Sequence, residues 1–212
     1  LRRAALGVLR ILIEGEWALD LRTVLAAALA LQPAGARGDD TLAALLAFVM
    51  ERLRAFRVGS VIDHRPIAAE AFEAVRALEI TAALDFERRL LAVHHFMMLD
   101  AAPHLAAANK RIRNVLRQAG EYAPDALEPA RLTHTAEQAL WTTVAALEKR
   151  DSGTDYGARL IDLASLRDPV DAFFDAVMVN DDDPAIRRNR LALLARVDTL
   201  CRSVVDLSQL PG

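Results

Sequence analysis

Four cations crowd one short window of the chain: Lys110, Arg111, Arg113 and Arg117 lie between Ala101 and Gly120, where there is no Asp or Glu. A second acid-free window, Pro184 to Val197, carries Arg187, Arg188, Arg190 and Arg196. Guanidinium groups offer planar, forked donors that match phosphate oxygens and base edges, so these residue types suit recognition of an anionic polymer. At helical spacing, Lys110, Arg113, Asn114 and Arg117 share one face, opposite Ile112 and Val115. Such a basic stripe can hold a phosphate backbone, and single-stranded RNA loops are read by hydrogen bonds and flat stacking surfaces of this kind. The same arginines could instead form a solvated face, or pair with Asp171, Asp175 and neighbouring helices.

Residues for making or breaking bonds are harder to find. His64, His94, His95, His104 and His134 do not form the HExxH pair that sets two imidazoles on one helical face. His94 and His95 are adjacent and point about 100° apart, which predicts one packed and one exposed ring. Cys201 sits in an apolar helical pattern without a nearby histidine, no serine lies in a GxSxG elbow, and no glycine-rich phosphate loop is present. No catalytic or metal-binding residue is assigned. Three consecutive carboxylates, Asp181 to Asp183, cannot all face one ion, and they read better as a capped hinge. Asp168 and Asp183 are expected to cap helices begun by Pro169 and Pro184.

These side chains must be carried by helices. The 212 residues are 53% apolar and only 5% aromatic, with few Gly and Pro, a bias that favours an all-α fold built as an antiparallel helical bundle. A net charge of −3 excludes gripping nucleic acid through bulk charge, so an RNA site must be local. Leu1, Ala5, Val8 and Leu12 predict a first helical face, and "DLRTVLAAALALQ" a second helix before Pro33, Gly35 and Gly38 break the pattern. Leu42, Leu45, Leu46, Val49, Leu53 and Phe56 mark a long helix. "VGSVIDHRP" reads as a connector, with Pro66 starting the next helix and Pro103 ending the one marked by Phe86, Leu90, Val93 and Met97. Val170, Phe173, Phe174, Val177 and Met178 predict one apolar face, and the helix after the acidic hinge is expected to pack back on it as an antiparallel pair. No strand alternation stands out. A lone cysteine and the absence of a bilayer-length apolar run suggest a reducing, cytoplasmic setting, and the start at Leu1 reads as part of a longer protein.

Two stretches carry a resemblance. "PVDAFFDAVMVNDDDPAIRRNRLALLARV", preceded by "AAANKRIRNVLRQAG", closely resembles the C-terminal region of the β subunit of bacterial two-subunit glycyl-tRNA synthetase, and "LRRAALGVLRILIE" followed by "LDL" is similar to the region just upstream. The resemblance implies a DALR-type anticodon-binding domain over residues 103–212, connecting helices over 39–102, and the tail of the preceding region over 1–38. It further implies glycine tRNA and an α subunit as partners in an α2β2 assembly, with neither DNA nor membrane. The α subunit would activate glycine with ATP and magnesium, this part needing no cofactor. The residues expected to contact RNA are Lys110, Arg111, Arg113, Asn114 and Arg117, joined by Arg187 and Arg188, with Arg54 and Arg57 as further candidates. Asn189 and Arg190 match the family's "NRL" and could orient helices instead. Two other classes remain open: a helical docking module, and an enzyme domain around His94 or His95.

Overall fold

A computed structural model describes residues 1–33, 35, 39–120, 124–150 and 153–212; Gly38, singled out above as part of a helix break, lies outside them. The described chain is helical apart from one short hairpin, and it divides into two compact units, Leu1–His94 and His95–Gly212.

The first unit is assembled on α3 (Asp39–Arg57), against which α1 (Arg2–Glu14) and α2 (Leu21–Ala30) both pack. Residues on either side of position 38 therefore share one core. The buried face of α1 is Ala5, Leu9 and Leu12, so Ala5 and Leu12 pack as expected, while Leu9 takes the place of Val8, and Leu1 is exposed. Asp20 caps α2 by accepting from the Thr23 amide at 2.8 Å and also accepts from the Thr81 hydroxyl, tying this turn to a distant one.

The connector folds into the hairpin β1 (Val61–Ile62) and β2 (Arg65–Pro66), which leaves no alternation in the sequence because each strand is two residues long. Asp63 and His64 both take positive φ, the condition for a tight two-residue turn. Pro66 thus ends a strand, and α4 (Ala69–Arg76) begins after Ala68. Phe72 and the α5 (Ala83–Phe96) residue Phe86 meet at 4.8 Å in the core. His94 is buried with Nε2 3.2 Å from the Ile62 carbonyl, whereas His95 is exposed, as expected.

The spine of the second unit is α6 (Ala101–Ala119). Pro103 lies in the first turn of this helix rather than ending the previous one, which stops at Phe96; amides of the first turn have no helical acceptor to lose. Packed against α6 are α8 (Tyr156–Ala164), α9 (Arg167–Ala176), α10 (Pro184–Arg202) and the 3-10 turn Leu207–Gln209. The capping box of α7 (Thr135–Glu148) uses His134, whose Nδ1 accepts from Ala136, and Glu137, which accepts from the His134 amide at 3.0 Å. Asp183 caps α10, accepting from Ala185 at 2.7 Å, with Pro184 in the first turn. Asp168 does not cap α9: the helix starts at Arg167, two residues before the expected Pro169, which puts this side chain in the first turn and in solvent. The expected antiparallel pairing of α9 with α10 gives way to a different arrangement, in which α9 packs on α7 and α6 and α10 packs on α6 and α7.

Burial of the α9 face is uneven. Phe173 is fully buried and meets Phe174 edge-on at 5.5 Å, whereas Met178, expected on the same face, is 76% exposed because the helix has ended before it. Phe173→Ala is expected to destabilise the protein by about 3–5 kcal/mol, and Met178→Ala by no more than about 0.5 kcal/mol. Urea unfolding followed by circular dichroism reads both; equal effects would mean that the end of α9 is misplaced.

Candidate nucleic-acid interface

One side of α6 is buried and mainly apolar, with Leu105, Ile112 and Leu116 joined by a single polar residue, Asn109. The other side leaves Lys110, Arg111, Asn114 and Arg117 in solvent. The helical period creates both faces: a buried stripe at positions 105, 108, 109, 112 and 116 leaves positions 110, 114 and 117 facing outward.

Lys110, Arg113, Asn114 and Arg117 line a groove of about 680 Å³, completed by Arg202 and Gln209 from the chain's last segment. Sequence spacing could not have found the last two, since the turn Leu207–Gln209 folds back onto α6 only in three dimensions. Arg117 donates to the Asn114 amide oxygen at 2.9 Å, which keeps both on the stripe. Lys110 has no acidic partner among the described residues.

Arg113 has a different position. Its guanidinium donates to the Asp206 carboxylate and, at 3.1 Å, to the Ser208 hydroxyl, while Nε lies 4.0 Å from Asp198. Arg202 donates to the same Asp206 oxygen at 3.2 Å. Asp206 is buried, and burial alone would raise its pKa; the hydrogen bonds from Arg113 and Ser208 and the charges of Arg113 and Arg202 hold it below the ordinary value instead. Burial does win at Asp198, whose pKa is pushed up despite a 3.3 Å hydrogen bond from Asn109 and the nearby charges of Arg113 and Arg202. Arg113 thus braces the groove floor and presents only part of its guanidinium to solvent.

Arg111 faces the other flank of α6. Its guanidinium lies 4.0 Å from the centroid of the Phe174 ring, a stacked cation on an aromatic face. Beside this stack run two clefts, of about 480 and 420 Å³, which share Val115, Met178 and Val179; the second reaches Arg187 and Arg188. Both arginines are exposed and have no acidic partner among the described residues.

The "NRL" residues orient the chain. Asn189 is buried, accepting from the Glu128 amide at 2.7 Å and donating to the Glu128 carbonyl at 3.1 Å. Arg190 donates to buried Glu137 at 2.5 Å, to Asp181 at 2.6 Å and to the Met178 carbonyl at 2.9 Å, clamping the turn between α9 and α10. In the first unit Arg54 pairs with Glu73 at 2.8 Å and Arg57 with Glu87 at 2.7 Å, so both cations are engaged internally. Cys201 is fully buried, which pushes its thiol far above the ordinary range and keeps it protonated. Among the described residues no group of three or more His, Cys, Asp or Glu is placed to hold a metal ion, and no helix is long and apolar enough to cross a membrane.

A cationic groove and a ledge with a stacked guanidinium, on two flanks of one helix, can position phosphates and stack bases. Residues 105–208 match the model of the DALR anticodon binding domain, which defines the class of the second unit as a helical anticodon-binding module. Residues 1–75 match the model described as glycyl-tRNA synthetase beta subunit. The chain is 42% identical over 214 residues to the glycine–tRNA ligase beta subunit of Pseudomonas aeruginosa, covering 99% of this chain and 31% of the relative. It is also 42% identical over 217 residues to that of Marinobacter nauticus, covering 100% and 30%. The beta subunit of Aeromonas hydrophila is 41% identical over 214 residues, covering 99% and 30%. The chain thus spans about a third of the length of these relatives and corresponds to their C-terminal part. It belongs to the glycyl-tRNA synthetase beta-subunit family.

The brace under the groove has a testable pH signature. Because the folded pKa of Asp206 lies below its ordinary 3.8, the stability it contributes is present above that value and disappears as pH falls through the folded pKa. Asp206→Asn is expected to destabilise the protein by about 1–3 kcal/mol at neutral pH, with the difference from wild type shrinking only below about pH 3.8. Urea midpoints across pH 3 to 7 check this; a difference that faded near pH 6 would place the carboxylate in another environment.

Proposed function

We propose that the second unit holds the anticodon loop of glycine tRNA, the RNA sitting astride the C-terminal half of α6. The observation that carries this reading is the groove over Lys110, Asn114 and Arg117, where exposed cations lie beside a helix without acids in a protein of net charge −3. Phosphates are expected on Lys110, Arg117 and Arg202, with Asn114 supplying an amide and Arg113 contributing the exposed part of its guanidinium. Arg111, Arg187 and Arg188 extend the contact along the other flank. The match to the anticodon-binding model and the names of the relatives support the same conclusion.

In this reading the chain supports ATP-dependent glycylation by an α2β2 assembly in the cytoplasm. ATP and magnesium belong to the α subunit's site, while this chain orients the tRNA. A second role, subunit docking, is favoured by exposed apolar side chains on the first unit, among them Ile11 at 61% and Trp17 at 56% exposure. It is compatible with RNA binding by the second unit.

Fluorescence anisotropy of labelled glycine tRNA, titrated with this chain at several salt concentrations, tests the reading. Lys110→Ala and Arg117→Ala are each expected to weaken binding to all sequences alike and to lower the log–log salt slope by about 1. A changed anticodon is expected to weaken binding to the unaltered protein. Equal binding of both tRNAs would leave only a generic basic surface, and unchanged salt slopes in the variants would remove these residues from the interface.

A further inference from the structure

We propose that the cleft between α6 and the turn joining α9 to α10 takes a single unstacked nucleobase, seated on the Met178–Val179 ledge beside the Arg111–Phe174 stack. The adjoining phosphate lies on Arg187 and Arg188. This rests on the RNA-binding reading above and assigns a separate job to the flank of α6 facing away from the cationic groove.

Met178 is the first observation. It is 76% exposed, yet its backbone is held firmly, since Arg190 donates to its carbonyl at 2.9 Å and is itself anchored on buried Glu137. An exposed, polarizable thioether on a clamped turn is an adaptable contact surface whose backbone is already ordered, so that only side-chain freedom is lost on binding. Beside it, the Arg111 guanidinium is preformed over the Phe174 ring at 4.0 Å, and Phe174 rests edge-on against fully buried Phe173. A base arriving here meets a rigid apolar ledge and a flat cation, the two surfaces on which bases stack without regard to their identity. The two adjoining clefts, about 480 and 420 Å³, are of the size that encloses a small flat ligand.

Charge sets the direction. Asp175 lines the Phe174 side, where it would repel a phosphate but can accept from a base amino group. Arg187 and Arg188 line the opposite side, so the sugar–phosphate must lie there. Among the acids of the turn, Asp181 is neutralised by Arg190 and Asp183 accepts from the first turn of α10, while Asp182 is exposed to solvent, where its charge is screened. Gln118 and Asn180, each with a donor and an acceptor, line the second cleft and can meet a base edge. An apolar protein partner would have to desolvate Arg111, Arg187 and Arg188 without counter-charge, whereas a nucleotide supplies a flat ring and a phosphate together.

The test uses glycine tRNA carrying one abasic nucleotide at each anticodon-loop position in turn, titrated with wild type, Met178→Ala, Arg187→Ala and Lys110→Ala. For wild type, removing one particular base is expected to weaken binding on the order of tenfold to a hundredfold. In Met178→Ala that penalty should vanish while the fold, read from its urea midpoint, is kept. In Lys110→Ala overall binding weakens but the abasic penalty persists, and in Arg187→Ala the salt slope falls. A penalty unchanged in Met178→Ala, or none at any position while salt-dependent binding persists, overturns the base cleft and leaves the RNA-binding reading standing. No binding by any form removes that reading and this inference with it.

Discussion

Carboxylates withdrawn from water must be matched by donors, and in the second unit this requirement decides which arginines remain available. Glu137 is nearly inaccessible, accepts from the Thr133 and His134 amides at 3.0 Å, and receives Arg190 on its other oxygen. Asp206, equally buried, takes Arg113, Arg202 and Ser208. Leaving either carboxylate unpaired would be costly, because an uncompensated charge in a protein interior loses its hydration without replacement. Each pair is therefore a fixed point of the fold; Arg131, Arg150 and Arg196 are held by other acids, and the cations left outside all of these pairs can meet a polyanion.

The two fixed points do different mechanical work. Arg113 pins the last turn of the chain onto α6, Arg202 ties the same Asp206 to the end of α10, and the groove wall is completed by Gln209. Arg190 reaches from α10 to the α7 capping box and to the turn after α9, holding Met178 outward on a rigid backbone. Two flanks of one helix are thus organised by arginines that serve mainly structure, while Lys110, Arg111, Arg117, Arg187 and Arg188 stay at the surface. The acidic hinge fits the same logic, with Asp183 capping a helix and Asp181 pairing with Arg190.

Much of the fold was legible in the sequence. The helical class, the long helices, the Asp183 cap, the packed His94 beside exposed His95, and the basic stripe on α6 all follow from local periodicity and capping chemistry. Misplacements occurred where a local signal had two uses. Pro103 could end one helix or begin another, Pro66 could open a helix or close a strand, and Asp168 could cap a helix or lie within its first turn. In each case the tertiary setting chose, because the local preference of a single residue is small beside the packing of whole elements.

The sequence by itself determined the family, the helical class and the set of cations, since hydrophobic period, cap residues and charge are properties of neighbours along the chain. Only the tertiary structure decided which cations are engaged. Arg113 and Lys110 look equivalent on a helical wheel, yet one meets Asp206 from the far end of the chain and the other does not. Arg111, which the helical period already sets off the stripe, is engaged because Phe174 lies beneath its guanidinium, and Met178 leaves its apolar face because α9 ends two residues earlier. The physical reason is common to all three: pairing, stacking and burial depend on distances through space between residues far apart in sequence.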